Sequence, residues 1–251
     1  MVNTFTKTDR QIEIMKKSGK ICAQALKKVL EHVKPGMTCA ALDKIAQQEI
    51  KKRGAVSSFK TVEDYRWTIC TTVNEQVVHG IPTQRVLKDG DILGIDIGAF
   101  YQGFHGDLAI SVPVGQVSET TKKFLDVGVK TLRKAIEKAK AGNTIGDISS
   151  TIQNSIEAAG YSIVKSLTGH GVGKSLHEEP MVPGFGRAKT GPKILKNMVL
   201  AIEVIYAQGS GKVVLGNDNW TISTKDHSLG GLFEQTVAID KNGPIVLTPY
   251  L

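Results

Sequence analysis

Five side chains carry most of the chemistry legible in this sequence: Asp96 in ILGIDIG, Asp107 in FHGDLAI, His170 in LTGHGVG, Glu203 in VLAIEVI and Glu234 in LFEQTVAI. Four are acids set in apolar, strand-like runs, where Asp and Glu are scarce and an unpartnered carboxylate is rarely buried. A carboxylate held there must be protonated, ion-paired or bound to a cation. These runs supply no Arg or Lys to pair with. His170 lies between Gly169 and Gly171, and is expected on a tight loop that lets its imidazole reach inward. Four carboxylates and one imidazole form a hard, oxygen-rich donor set. It suits a pair of divalent ions such as Mn, Fe, Co or Zn, and not a thiolate zinc site. Taken singly, each acid reads equally well as a surface edge residue, and a lone histidine as packed or solvated. The metal reading rests on all five together.

The elements that must position these residues follow from the pattern around them. IDIGAFYQGFHGD reads as a β-hairpin. A turn centred on Tyr101-Gln102 sets Asp96 opposite Asp107 on one face, with Cβ atoms within roughly 5 Å and like charges repelling. Glu203 and Glu234 are expected to repeat that arrangement. Helical hairpins are predicted over about 9–53 and 119–160, broken at Lys34-Pro35-Gly36 and Ala141-Gly142, with Thr38 and Thr144 as caps. Sliding the first hairpin by 106 positions lays Lys34, Gly36, Thr38, Gln47, Ile50 and Gly54 on Lys140, Gly142, Thr144, Gln153, Ile156 and Gly160. Matched breaker, cap and terminal glycine indicate an internal duplication. The expectation is an α+β chain of two pseudo-symmetric lobes around a central antiparallel sheet. It forms one catalytic domain, 1–251, from two pseudo-repeats of about 9–112 and 119–240.

Composition narrows the setting. No run is long and apolar enough for a membrane span, and the polar start MVNTFTKTDRQ lacks a signal-peptide core. Cys22, Cys39 and Cys70 lie far apart without CxxC spacing and read as free thiols in a reducing, cytoplasmic compartment. The net charge of +8 is spread over helical faces such as LRKAIEKAK, with no basic-aromatic motif that reads bases, so specific nucleic-acid binding is not expected.

The segments CTTVNEQVVHGIP (70–82), DILGIDIGAFYQGFHGD (91–107), TGHGVGKSLHEEP (168–180), AIEV (201–204) and FEQT (233–236) resemble type I methionine aminopeptidases of metallopeptidase family M24. The resemblance spans nearly the whole chain and implies the two-lobed pita-bread fold. It also implies removal of the initiator methionine from nascent proteins, with two divalent metal ions as cofactors. Asp96, Asp107, His170, Glu203 and Glu234 would be the metal ligands, with Asp107 and Glu234 bridging. A hydroxide between the ions would be the nucleophile and Glu203 the general base. His79 would contact the substrate near the amine, and His177 would stabilise the oxyanion at the scissile carbonyl. Tyr65, Cys70 and Trp220, walled by Phe59 and Leu176, would bind the methionine side chain.

Four positions depart from the family pattern. Leu176 replaces the usual Phe, Val204 a Pro, Gln235 a His, and Leu232 stands where a polar residue is frequent. X-Pro aminopeptidases and prolidases share the ligand set but usually add an N-terminal domain, for which the early first hairpin leaves no room. A non-catalytic binding module would be expected to lose ligands, and none is lost here. Family likeness implies a monomer acting on N-terminal Met peptides, and the basic charge leaves transient ribosome association open.

Overall fold

The computed structural model describes residues 5–250. Its helices are α1 (Asp9–Leu30), α2 (Cys39–Lys52), α3 (Glu119–Lys138) and α4 (Ile145–Ala158). Each starts where the sequence offers a cap. The Thr8 hydroxyl accepts from the Gln11 N–H while the Gln11 side chain accepts from the Thr8 N–H. Thr38 accepts from the Ala41 N–H, Ser118 from the Thr121 N–H, and the Asp147 carboxylate reaches back to the Thr144 N–H.

The strands are β1 (Val56–Ser57), β2 (Ile69–Val73), β3 (Gln76–Val78), β4 (Ile92–Tyr101), β5 (Phe104–Pro113), β6 (Ser162–Ile163) and β7 (Thr168–Gly171). They continue as β8 (Glu178–Pro183), β9 (Val199–Ala207), β10 (Val213–Leu215), β11 (Ile222–Thr224), β12 (Gly230–Asp240) and β13 (Gly243–Val246). Ten of them form one sheet in the order β1-β4-β5-β12-β9-β7-β8, with β2, β6 and β13 alongside β4, β9 and β12. All of its pairings are antiparallel. A small sheet, β10-β11-β3, stands apart and brings His79 and Trp220 near each other.

The period of two along the central strands separates core from chemistry. Ile95, Ile97, Leu108, Ile110, Leu200, Ile202, Val204, Phe233 and Val237 pack with Ile21, Leu26, Phe124 and Leu132 of α1 and α3. The residues between them, Asp96, Asp107, Ala109, Glu203 and Glu234, therefore share the other face. Burying so many aliphatic side chains on one side fixes the register, because a one-residue slip would exchange the faces.

Two expectations are corrected here. The hairpin turn is centred on Gln102-Gly103, both at positive φ, +48° and +86°. That is the geometry favoured for a two-residue hairpin loop, and glycine takes the second position without strain. Asp96 consequently pairs with Ala109, and Asp107 with Gly98. The two acids share a face on a diagonal, at roughly 7–8 Å rather than in direct opposition. His170 lies on strand β7 and not on a loop. Its glycine neighbours allow close strand approach, since a Cβ on Gly169 would fall 2.4 Å from the Ala201 oxygen and one on Gly171 2.4 Å from the Glu179 oxygen.

Candidate metal centre and adjoining pocket

The ladder places the acids in one line across four strands. Asp96 pairs with Ala109, Ala109 with Glu234, and Glu234 with Glu203. Ala109 is the small residue within that row, and Asp107 stands two residues before it on the same face. His170 joins from β7, where it pairs with Ala201, two residues before Glu203. Its Nδ1 lies 2.8 Å from the Gly171 carbonyl oxygen. A proton on Nδ1 serves that contact and turns the Nε2 lone pair toward the acids. Nε2 lies 3.6 Å from Glu203 Oε1. Asp107, His170 and Glu234, all buried, each offer a ligand atom within 4.8 Å of the others.

The electrostatics call for a cation. Burial and then the charges of Asp96 and Glu203 push Asp107 well above the usual carboxylate range. Glu234 is driven up by burial and then by Asp107, Glu203 and Asp96. Glu203 is raised by burial and by Asp96, and burial alone takes Asp96 up to about 7. Burial lowers His170 to about 4, which keeps its imidazole neutral and fit to ligate. Asp96 Oδ1, Asp107 Oδ1 and Glu234 Oε1 are buried without a hydrogen-bond partner. Orphaned acceptors around a neutral imidazole are the donor set of a divalent metal site.

Positioning comes partly from Thr236. Its hydroxyl accepts from the Asp107 N–H at 3.0 Å and lies 2.7 Å from the Asp107 carbonyl oxygen. The Tyr250 hydroxyl donates to the backbone oxygen of Glu234.

A cavity of about 130 Å³ opens directly from the acids. Every substrate-contact residue expected from the sequence lines it: Phe59, Tyr65, Cys70, His79, Leu176, His177 and Trp220. The Tyr65 hydroxyl donates within reach of Cys70 Sγ (3.2 Å) and the Ile69 oxygen (3.0 Å). Its ring meets Trp220 edge-on at 5.0 Å and Phe59 at 6.2 Å. His177 packs edge-on against His170, ring centroids 4.4 Å apart. His79 is exposed, with φ at +57°, a left-handed conformation that a non-glycine residue adopts only when its surroundings enforce it.

Of the four departures, Leu176 and Leu232 line the cavity, whereas Val204 packs in the helix-side core and the Gln235 amide donates to the Thr248 oxygen. Three contributors go unmarked in the sequence reading. Val62 and Val78 also line the cavity, and Thr236 braces Asp107. Val78 is signalled only by its place before His79, and Thr236 only by following Glu234 by two.

A model of metallopeptidase family M24 matches residues 13–241. The chain is 45% identical over 242 residues to methionine aminopeptidase 1 of Bacillus subtilis (strain 168), covering 96% of this chain and 98% of that protein. The crystal structure of methionine aminopeptidase from Thermotoga maritima is similar at a TM-score of 0.95 and 40% identity, covering 97% of this chain and 98% of that one. Prolidase from Pyrococcus furiosus gives a TM-score of 0.80 at 23% identity, over 98% of this chain and 65% of that one. At that identity the likeness is one of fold alone.

Proposed function

The chain belongs to metallopeptidase family M24, and on that footing we propose a methionine aminopeptidase whose metal centre is Asp96, Asp107, His170, Glu203 and Glu234. Its fold is the pita-bread fold, α+β around a large antiparallel sheet. The observation that carries the reading is the convergence of four acids and a neutral imidazole on one sheet face beside an aromatic-walled pocket.

Two divalent ions would be held by Asp96, Asp107, His170, Glu203 and Glu234, the hard oxygen and imidazole donors that such ions take. Such ions supply a nucleophile at neutral pH by acidifying water, and they polarise a carbonyl. The protein's own groups do the rest. Glu203, whose Oε1 lies 3.6 Å from His170 Nε2 on the same face, takes and returns the proton as general base. His177 stands at the scissile carbonyl as hydrogen-bond donor, and His79 contacts the substrate near the amine. Tyr65, Cys70, Trp220, Phe59 and Leu176 hold the methionine side chain, an unbranched thioether that moulds to an aromatic pocket.

The enzyme is a monomer working in the cytoplasm on N-terminal Met peptides, with transient ribosome docking through its net charge of +8. Ribosome pelleting that stays negative at low salt rejects the docking. Hydrolysis of Met-Ala-Ser but not X-Pro peptides, present with added Mn or Co and absent after chelation, tests the activity. Turnover of X-Pro peptides alone would replace this reading with a prolidase.

A further inference from the structure

The segment ahead of α1 reaches across to the loop that carries His177. Lys7 is 9% exposed, a rare placement for a lysine. Its Nζ donates to Glu178 Oε2 at 2.8 Å. Glu178 directly follows His177, and its Oε1 accepts from the Ser175 N–H at 3.1 Å. The carboxylate thus closes a short turn with Leu176 and His177 inside it. Burial opposes the charge of Glu178, yet Lys7 and the Ser175 N–H hold its carboxyl below the usual range.

Both partners are anchored by backbone bonds: on the loop the Gly173 oxygen accepts from the His105 N–H at 2.9 Å, and the Lys7 N–H donates to the Asn197 oxygen at 2.8 Å. A Cβ on Gly173 would fall 2.4 Å from Glu178 Oε1 and 2.5 Å from Lys7 Cε, so glycine there vacates the space that the ion pair occupies. The reaction described above makes no use of Lys7.

We propose that Lys7 is a positioning residue that, through Glu178, fixes the loop of residues 173–178 so that His177 faces the metal ligands. The proposal rests on the role assigned to His177. Removing one partner of this part-buried ion pair, whose side chains are 7% and 21% exposed, leaves the other charge unpaired, and the loop is expected to relax to rehydrate it.

Lys7→Met and Glu178→Gln test this in the metal-loaded enzyme below its melting temperature. Displacing a reacting group by about 1 Å can cost on the order of 100-fold, so kcat is expected to fall between roughly 10- and 100-fold in each variant. KM for Met-Ala-Ser and the calorimetric Kd for Mn stay unchanged. The double variant loses no more than either single one, because the two act as a unit. In single-turnover assays on a His177→Ala background, Lys7→Met adds no further loss. Unchanged kcat in Lys7→Met, a loss that adds to that of His177→Ala, or a parallel loss of Mn binding overturns the proposal. Full activity of His177→Ala would instead sink the role given to His177. Should Lys7→Met not fold, Glu178→Gln carries the same expectations.

Discussion

Glu203 on β9 and Glu234 on β12 are direct cross-strand partners, their side chains on the same buried face. Such a pair brings Cβ atoms to about 4.5–5.5 Å, close enough for two carboxylates to repel strongly and for one cation to join them. Replacing one acid should therefore separate stability from function. Glu234→Gln is expected to raise the Tm of the metal-free protein by about 2–4 °C, the shift of roughly 1 kcal/mol in a chain of this size. The same change should abolish the Tm increase on adding Mn. Activity should fall by at least about 100-fold, beyond the ~10–100-fold of an outer-shell change. Scanning fluorimetry with and without metal reads both effects, and a metal-free Tm below that of the parent would contradict the repulsion.

The pH dependence has a definite sign. Burial takes Asp96 from its ordinary 3.8 up to about 7 in the metal-free fold. The folded state then binds the proton more tightly than the unfolded chain does. Stability is fully present below about pH 4 and is lost as pH rises through about 7. A bound cation replaces the proton and removes that loss. The increase in Tm on adding Mn is thus expected to be larger at pH 7.5 than at pH 5.5. Equal increments at the two values would mean that these carboxylates are already neutralised by other means.

Pocket shape depends on Tyr65 being held between Trp220 and Phe59. An edge-to-face aromatic pair contributes about 0.5–1.5 kcal/mol beyond its buried area. Trp220→Ala should lower kcat/KM for Met-Ala-Ser by roughly tenfold, the equivalent of about 1.4 kcal/mol. Most of the change should appear in KM, because the proposed metal ligands are untouched. Relative turnover of substrates with bulkier first residues should rise. A variant that loses kcat with KM unchanged would place Trp220 outside the pocket wall.

Which of these features the sequence makes legible depends on how local their causes are. The caps at Thr38 and Thr144 involve neighbours three residues away, so breaker and cap residues suffice to mark them. The acids betray themselves by chemistry, being ionisable groups in aliphatic strands. The hairpin register does not, because Tyr101-Gln102-Gly103 offers two turn centres. The choice falls to the pair that can both take positive φ. His170 is ambiguous for a similar reason. Gly-His-Gly reads as a turn in isolation, and becomes a strand only because β8 and β9 approach through the space that the glycines leave. Val62 and Val78 act only through their place in the wall of the pocket, which no local pattern encodes.

Thr236 shows how a residue without reactive chemistry can position a proposed metal ligand. Its hydroxyl spans the gap beside the β5–β12 pairing, which is regular only at Glu234–Ala109 and Gln235–Leu108. Valine matches threonine in shape and lacks the hydroxyl, so Thr236→Val leaves the buried Asp107 N–H without its acceptor. An unsatisfied buried donor costs about 1–3 kcal/mol. At about 2–4 °C per kcal/mol, a Tm decrease between roughly 2 and 12 °C is expected. The Asp107 carboxylate should also lose its fixed orientation, weakening Mn binding by about 10–100-fold, as outer-shell changes do. Thr236→Ser keeps the hydroxyl and should recover most of the metal affinity while retaining a small packing loss. Calorimetric Mn titration of the two variants decides the matter: full affinity in Thr236→Val with weakened binding in Thr236→Ser would show that the methyl group, and not the hydroxyl, holds Asp107 in place.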